Sequence, residues 1–180
     1  RTHTELLVSG GLDVRWNVQA YAISALNILV LEKHLLIRKL LTDVFREFGV
    51  PTVQSTPDPE TAWGFFTQFP ADIVLCDWCE ELDGMEFLNK IRQDTETPNP
   101  FVPVIVVTAH TELRHVCVAR DNGMTEFLAK PVSARTVYQR ICNAIEGGRP
   151  FIRASTFFGP DRRRRSKGAH EGPERRLTGT

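Results

Sequence analysis

Five short strand-like runs alternate with five amphipathic stretches between residues 27 and 148, and this alternation leaves few folds open. The runs cover residues 27–31, 51–55, 71–76, 102–107 and 126–129. The first, third and fourth are apolar almost throughout, the composition of strands covered on both faces. The second, Pro51-Thr52-Val53-Gln54-Ser55, is polar enough for a sheet edge. Between them, Leu35, Leu36, Leu40, Leu41, Val44, Phe45 and Phe48 recur at helical spacing and stop at Gly49, a C-cap. Asp58-Pro59-Glu60 opens a second helix with Ala62, Phe65, Phe66 and Phe69 on its apolar face. Asp83-Gly84-Met85 opens a third, residues 111–122 form a fourth closed by Gly123, and Ser133 N-caps a fifth that ends at Gly147-Gly148.

Strand, helix, strand repeated five times predicts an α/β protein with a doubly wound, five-stranded parallel sheet in the flavodoxin-like order 2-1-3-4-5. Such sheets bind ligands beyond the carboxyl ends of their strands, at the switch point beside the first and third. That places Lys33 and Asp77 at the site, with Thr108 and Lys130 at the ends of two later strands. An acid, a hydroxyl and an ammonium at successive strand ends suit the placing and sensing of a phosphoryl group.

The chain divides by charge. Residues 27–148 hold 11 basic and 17 acidic side chains, whereas residues 149–180 hold 9 basic and 3 acidic. The expected organisation is an arm over 1–26, one domain over 27–148, and a basic Pro/Gly/Arg-rich tail over 149–180 that reads as flexible. Within the tail, Phe151, Ile152, Phe157 and Phe158 are too apolar for a solvated segment and are expected to dock on the domain or on a second subunit. The arm is similarly apolar from Trp16 to Ala25. No run approaches the roughly 20 apolar residues of a membrane span, and no secretory pattern precedes Ser9-Gly10-Gly11, so a cytoplasmic location is expected. The start at Arg1 suggests a fragment or processed form. Cys76 and Cys79 have C-x-x-C spacing, but Cys76 belongs to an apolar strand and no second pair follows, so small core residues are the better reading.

Taken together and in order, Ile73-Val74-Leu75-Cys76-Asp77-Trp78, Asp83-Gly84, Val104-Ile105-Val106-Val107-Thr108-Ala109 and Phe127-Leu128-Ala129-Lys130-Pro131 resemble the receiver domain of bacterial two-component response regulators, the CheY-like family. The resemblance covers residues 27–148, and the Arg-rich tail is similar to that of some stand-alone receivers. It implies that Asp77 accepts a phosphoryl group from a sensor histidine kinase. It also implies that Lys130 pairs with that group, that Thr108 hydrogen-bonds to it, and that Phe127 is an aromatic switch. Lys130-Pro131 would be a cis peptide. Mg2+ would be held near Glu32, Asp77 and Cys79. The product is a signalling module rather than an enzyme, speaking to an unknown downstream protein through residues 111–147, where Val116, Cys117, Tyr138 and Ile141 lie.

Two departures stand out. The resemblance implies two adjacent acids after the first strand, and here the pair is Glu32-Lys33. At about 4 Å and an effective dielectric near 20, each unit charge pair is worth roughly 4 kcal/mol, so a lysine there would weaken Mg2+ binding. Lys33 is expected instead to supply positive charge to Asp77 as a salt bridge. The loop Cys79-Glu80-Glu81-Leu82 is also one residue short and gains two acids, either of which could turn inward. A pseudo-receiver, acting without phosphate as a constitutive interaction module, is the rival reading. A homodimer is expected. Nucleic-acid binding by Arg162 to Lys167 is not expected, because no aromatic residues interleave the basic run for stacking.

Overall fold

The computed structural model describes residues 23–154 and 157–162. A 3-10 turn at Ile23–Ala25 leads into β1 (Asn27–Leu31), followed by α1 (Leu35–Glu47), β2 (Thr52–Thr56), α2 (Pro59–Gln68) and β3 (Ile73–Asp77). Then come α3 (Gly84–Gln93), β4 (Val104–Thr108), α4 (Leu113–Asp121), β5 (Glu126–Ala129) and α5 (Ala134–Glu146), and last β6 (Phe151–Ala154) and β7 (Phe157–Pro160). The first five strands form one parallel sheet in the order β2-β1-β3-β4-β5, the predicted topology.

Each central strand splits its side chains between two cores. Leu29 and Leu31, Val74 and Cys76, and Val104 and Val106 face α2, α3 and α4. Ile28 and Val30, Ile73 and Leu75, and Ile105 and Val107 face α1 and α5. Because successive side chains point to opposite faces, helices on both sides require apolar residues at every position, and that explains the unbroken runs. Local signals start the helices. Asp58 accepts from the Thr61 amide at 2.7 Å, Asp83 from the Met85 amide at 2.9 Å, and Ser133 forms a capping box with Thr136.

Three expectations need correction. The run 102–107 starts its strand at Val104 and carries it through Thr108, and α4 begins at Leu113 rather than 111, leaving four residues as a loop. In α1, Leu35, Leu36 and Leu40 are 66%, 81% and 42% exposed, while Leu41, Val44 and Phe45 fill the core. The leucine-rich stretch is wider than the one stripe a helix can bury. Finally, residues 151–154 and 157–160 are an antiparallel hairpin. Phe157 and Phe158 are buried, and β7 packs on α3, so the docking expected of those aromatics occurs within the chain.

The hairpin is anchored by Arg92, 2% exposed on α3. Its Nε donates to the Gly123 carbonyl at 3.0 Å and its Nη1 to the Pro100 carbonyl at 2.8 Å. The guanidinium lies 5.2 Å from the Phe151 ring centroid, and Phe101 meets both Phe151 and Phe158 edge-on. Gly123 has φ +90°, and a Cβ there would sit 2.7 Å from the Phe158 carbonyl oxygen. Arg149 donates to the Thr125 carbonyl. These contacts precede β4 and β5, at the amino end of the sheet.

Candidate functional site

The carboxyl ends of β1 and β3 bring two acids together. Glu32 follows β1 and Asp77 ends β3, and each is 1% exposed. Lys130, just past β5, reaches between them: Nζ is 2.8 Å from Asp77 Oδ1 and 3.2 Å from Glu32 Oε1. Glu32 Oε2 lies 3.1 Å from the same ammonium but takes no hydrogen bond. The β1–α1 turn is braced by Arg38, whose Nη1 donates to the Glu32 carbonyl at 2.7 Å, and by the His34 amide, which donates to Glu32 Oε1 at 2.8 Å. The Lys33 amide reaches Asp77 Oδ2 at 3.3 Å. At Gly84, a Cβ would stand 2.2 Å from the Asp77 carbonyl oxygen, so only glycine lets α3 start this close to the site.

The charges perturb one another. Burial, then the neighbouring Asp77 charge, raises the Glu32 pKa above its ordinary value. Burial alone would lower the pKa of Lys130, but its hydrogen bonds to Asp77 and Glu32 outweigh that and leave it raised. Burial pushes the Cys79 thiol up to about 11, so it is protonated at neutral pH.

Of the residues singled out from the sequence, Glu32, Asp77 and Lys130 meet directly. Thr108 is fully buried nearby, but its hydroxyl donates to the Trp78 carbonyl at 2.6 Å and accepts from the His110 amide at 3.0 Å. Phe127 packs half-buried against the core on the α2, α3 and α4 side. Lys130–Pro131 is cis. Lys33 corrects the salt-bridge expectation: its side chain is exposed, and the ammonium beside Asp77 is that of Lys130. Glu80 and Glu81 are exposed too, because the short loop closes through reciprocal backbone bonds between Cys79 and Leu82 and turns Leu82 inward. Two features escaped the sequence reading. One is the buried Arg92, which no local pattern marks. The other is a group formed by His110, Glu112, His115 and Trp78, signalled only by two histidines and an acid within seven residues of a strand end.

A parallel α/β sheet in this order, with buried acids at its switch point and a lysine closing over them, defines the class of doubly wound folds with a charged site where such sheets take their ligands. The comparisons make the class specific. Residues 28–142 match the family model for the response regulator receiver domain, and the chain belongs to that family. It is 25% identical over 122 residues to the chemotaxis protein CheY-3 of Vibrio cholerae, a match covering 67% of this chain and 92% of that protein. The transcriptional regulatory protein GlrR of Escherichia coli is 35% identical over 80 residues, which span 44% of this chain but 17% of that one. Among solved structures, Vibrio cholerae CheY4 superposes with a TM-score of 0.59 at 19% identity, covering 66% of this chain and 98% of that one. The receiver domain of the Arabidopsis thaliana histidine kinase CKI1, solved with Mg2+ and BeF3-, gives 0.58 at 21% identity, covering 67% and 90%. Among the described residues, no helix is long and apolar enough to cross a membrane.

Proposed function

We propose that this receiver accepts a phosphoryl group on Asp77 from a phosphohistidine of a sensor kinase and passes the signal on by protein contact. The observation that carries this reading is the shared ammonium of Lys130, 2.8 Å from Asp77 Oδ1 with a second carboxylate beside it. A carboxylate ionised at neutral pH is a competent nucleophile. One Asp77 oxygen forms the new bond to phosphorus, the phosphorus–nitrogen bond breaks, and the imidazole leaves with the electron pair and is then protonated. Lys130 stays to neutralise the phosphoryl oxygens, and catalysis is mostly this placement of charge. Thr108 reports the event by exchanging the Trp78 carbonyl for a phosphoryl oxygen, and Phe127 follows into the space the loop leaves.

The donors suit a hard cation such as Mg2+. Glu32 Oε2 is buried and takes no hydrogen bond, although the Lys130 ammonium lies 3.1 Å away, the two carboxylates repel one another, and the Lys33 side chain stands outside in solvent. Glu32 and Asp77 would hold the ion, with Cys79 beside them, and Lys33 removes only the third carboxylate. Bound there, Mg2+ supplies additional neutralisation of phosphoryl charge.

Burial of Asp77 to 1% favours a second reading, in which the Asp77–Lys130 pair is permanent and the domain is a phosphorylation-independent interaction module. Intact-mass analysis after incubation with phosphoramidate, with and without Mg2+, separates the two. The proposal expects one phosphoryl adduct on wild type and none on Asp77→Asn. Absence of an adduct, with a control receiver labelled in parallel, supports the permanent pair. Pairing of two copies and contact with a target through residues 111–147 belong to the same proposal.

A further inference from the structure

The loop from β4 to α4 carries a cluster that phosphoryl transfer does not use. His110 and Glu112 lie on this loop and His115 in the first turn of α4, and one ligand atom from each lies within 4.8 Å of the others. His115 Nδ1 and Glu112 Oε2 are 2.5 Å apart. The two imidazole centroids are 4.9 Å apart at an interplanar angle of 36°, and both rings pack edge-on against Trp78 at 6.1 and 5.3 Å. Trp78 therefore holds both rings in one place, while Glu112 is exposed and both histidines are half-buried, within reach of solvent ions.

We propose that His110, Glu112 and His115 form a binding site for a borderline transition-metal ion of the Zn2+ class, separate from the hard-cation pocket at Asp77. Two imidazole nitrogens and a carboxylate oxygen, with a fourth position left to water, are a donor set that suits Zn2+ and not Mg2+. Tetrahedral Zn2+ with bonds of about 2.0–2.1 Å wants its ligand atoms roughly 3.4 Å apart, so the cluster is within a side-chain rotation of that geometry. On binding, His115 takes the tautomer with its proton on Nε2, the hydrogen bond between Nδ1 and Glu112 Oε2 is given up, and the ion sits between the two atoms, which separate.

The site has a consequence for the loop. The His110 amide donates to the Thr108 hydroxyl, which itself donates to the Trp78 carbonyl. An ion fixing His110 to α4 keeps Thr108 on Trp78 and away from Asp77, so Zn2+ opposes the rearrangement that phosphorylation requires. This last step rests on the receiver function proposed above; the binding site does not.

The test is a calorimetric titration of the full chain with Zn2+ in the presence of millimolar Mg2+. One Zn2+ per chain is expected, with affinity falling in His110→Ala/His115→Ala by at least the roughly 10–100-fold that loss of even an outer partner costs. Glu112→Gln, an exposed position, should weaken binding as well and guards against a double variant that fails to fold. Zn2+ affinity unchanged in both variants, or lost instead on His34→Ala, overturns the site. Phosphoramidate labelling of Asp77 is scored separately, so a failed receiver function leaves the stoichiometry readable. Labelling unaffected by saturating Zn2+ would overturn the link to Thr108.

Discussion

Each end of the sheet holds a cation that is at least partly buried, and the two are handled in opposite ways. At the carboxyl end, Lys130 sits between two carboxylates, one with an oxygen that takes no hydrogen bond, so two negative charges share one positive charge. At the amino end, Arg92 faces no carboxylate among the described residues: it donates to two backbone carbonyls, lies against an aromatic ring and leaves its buried Nη2 without a hydrogen-bond partner, with burial lowering its pKa to about 9, still charged at neutral pH. The Arg92 end is assembled for anchoring, fixing the hairpin to α3 and to the turn at Gly123. The Lys130 end leaves electrostatic demand that a phosphoryl group or a divalent ion can meet. A buried cation by itself therefore says little about function; what surrounds it decides.

The sharpest way to break this contrast is to remove each cation in turn. Lys130→Met strands two adjacent buried carboxylates and should destabilise by about 3–5 kcal/mol in urea unfolding. Adding Glu32→Gln and Asp77→Asn should recover most of the loss, because the stranded charges go with the ammonium. Arg92→Met leaves two carbonyls without donors but no stranded charge, and about 2 kcal/mol is expected. If the two losses were equal, or if Glu32→Gln/Asp77→Asn failed to rescue Lys130→Met, the distinction would collapse. Gly123→Ala comes next. It puts a Cβ against the Phe158 carbonyl at positive φ and should cost more than about 1 kcal/mol while lifting the hairpin, read as increased proteolysis near 151–160.

A pH series sharpens the carboxyl end. The folded Glu32 pKa lies above its ordinary 4.5, so the folded state holds its proton longer than the unfolded chain. Stability therefore falls as pH rises from 4.5 through the folded value, the reverse of a paired surface acid. Wild type should show that decline in denaturation midpoint and Glu32→Gln should lack it. The smallest effect belongs to Asp121→Asn, which breaks exposed contacts with Arg162 and Arg120 and should change stability by within about 0.5 kcal/mol.

Sheet order was legible in the sequence, and so was the placement of Asp77, Thr108 and Lys130 at neighbouring strand ends, because a doubly wound sheet makes strand ends converge. Apolar runs such as Ile73-Val74-Leu75-Cys76 state burial at every position, so little else could be built from them. The fate of single charges was less legible. Lys33 follows a strand end as Glu32 does, yet its side chain goes to solvent, while Lys130 arrives from 98 residues away to meet Glu32. Only the folded chain compares those two routes. Leu35 and Leu36 show the limit of periodicity: leucine count exceeds the stripe that α1 can bury. Reading the fourth helix from 111 hid the metal-ligand cluster, because it placed Glu112 within the helix and separated it from His110 in the preceding loop. The hairpin left a clearer trace, the apolar pairs Phe151-Ile152 and Phe157-Phe158, although the register sets Phe151 against Pro160 and Phe157 against Ala154 rather than one pair against the other.

Amide hydrogen exchange before and after phosphoramidate treatment, with Asp77→Asn as control, tests the contrast between the two ends most directly. The account predicts altered protection at Trp78, at 108–115 and around Lys130 in wild type only, with Arg92, Gly123 and the hairpin unchanged. Unchanged protection around Asp77 after phosphoryl adduct formation, or a response confined to the hairpin, would contradict it.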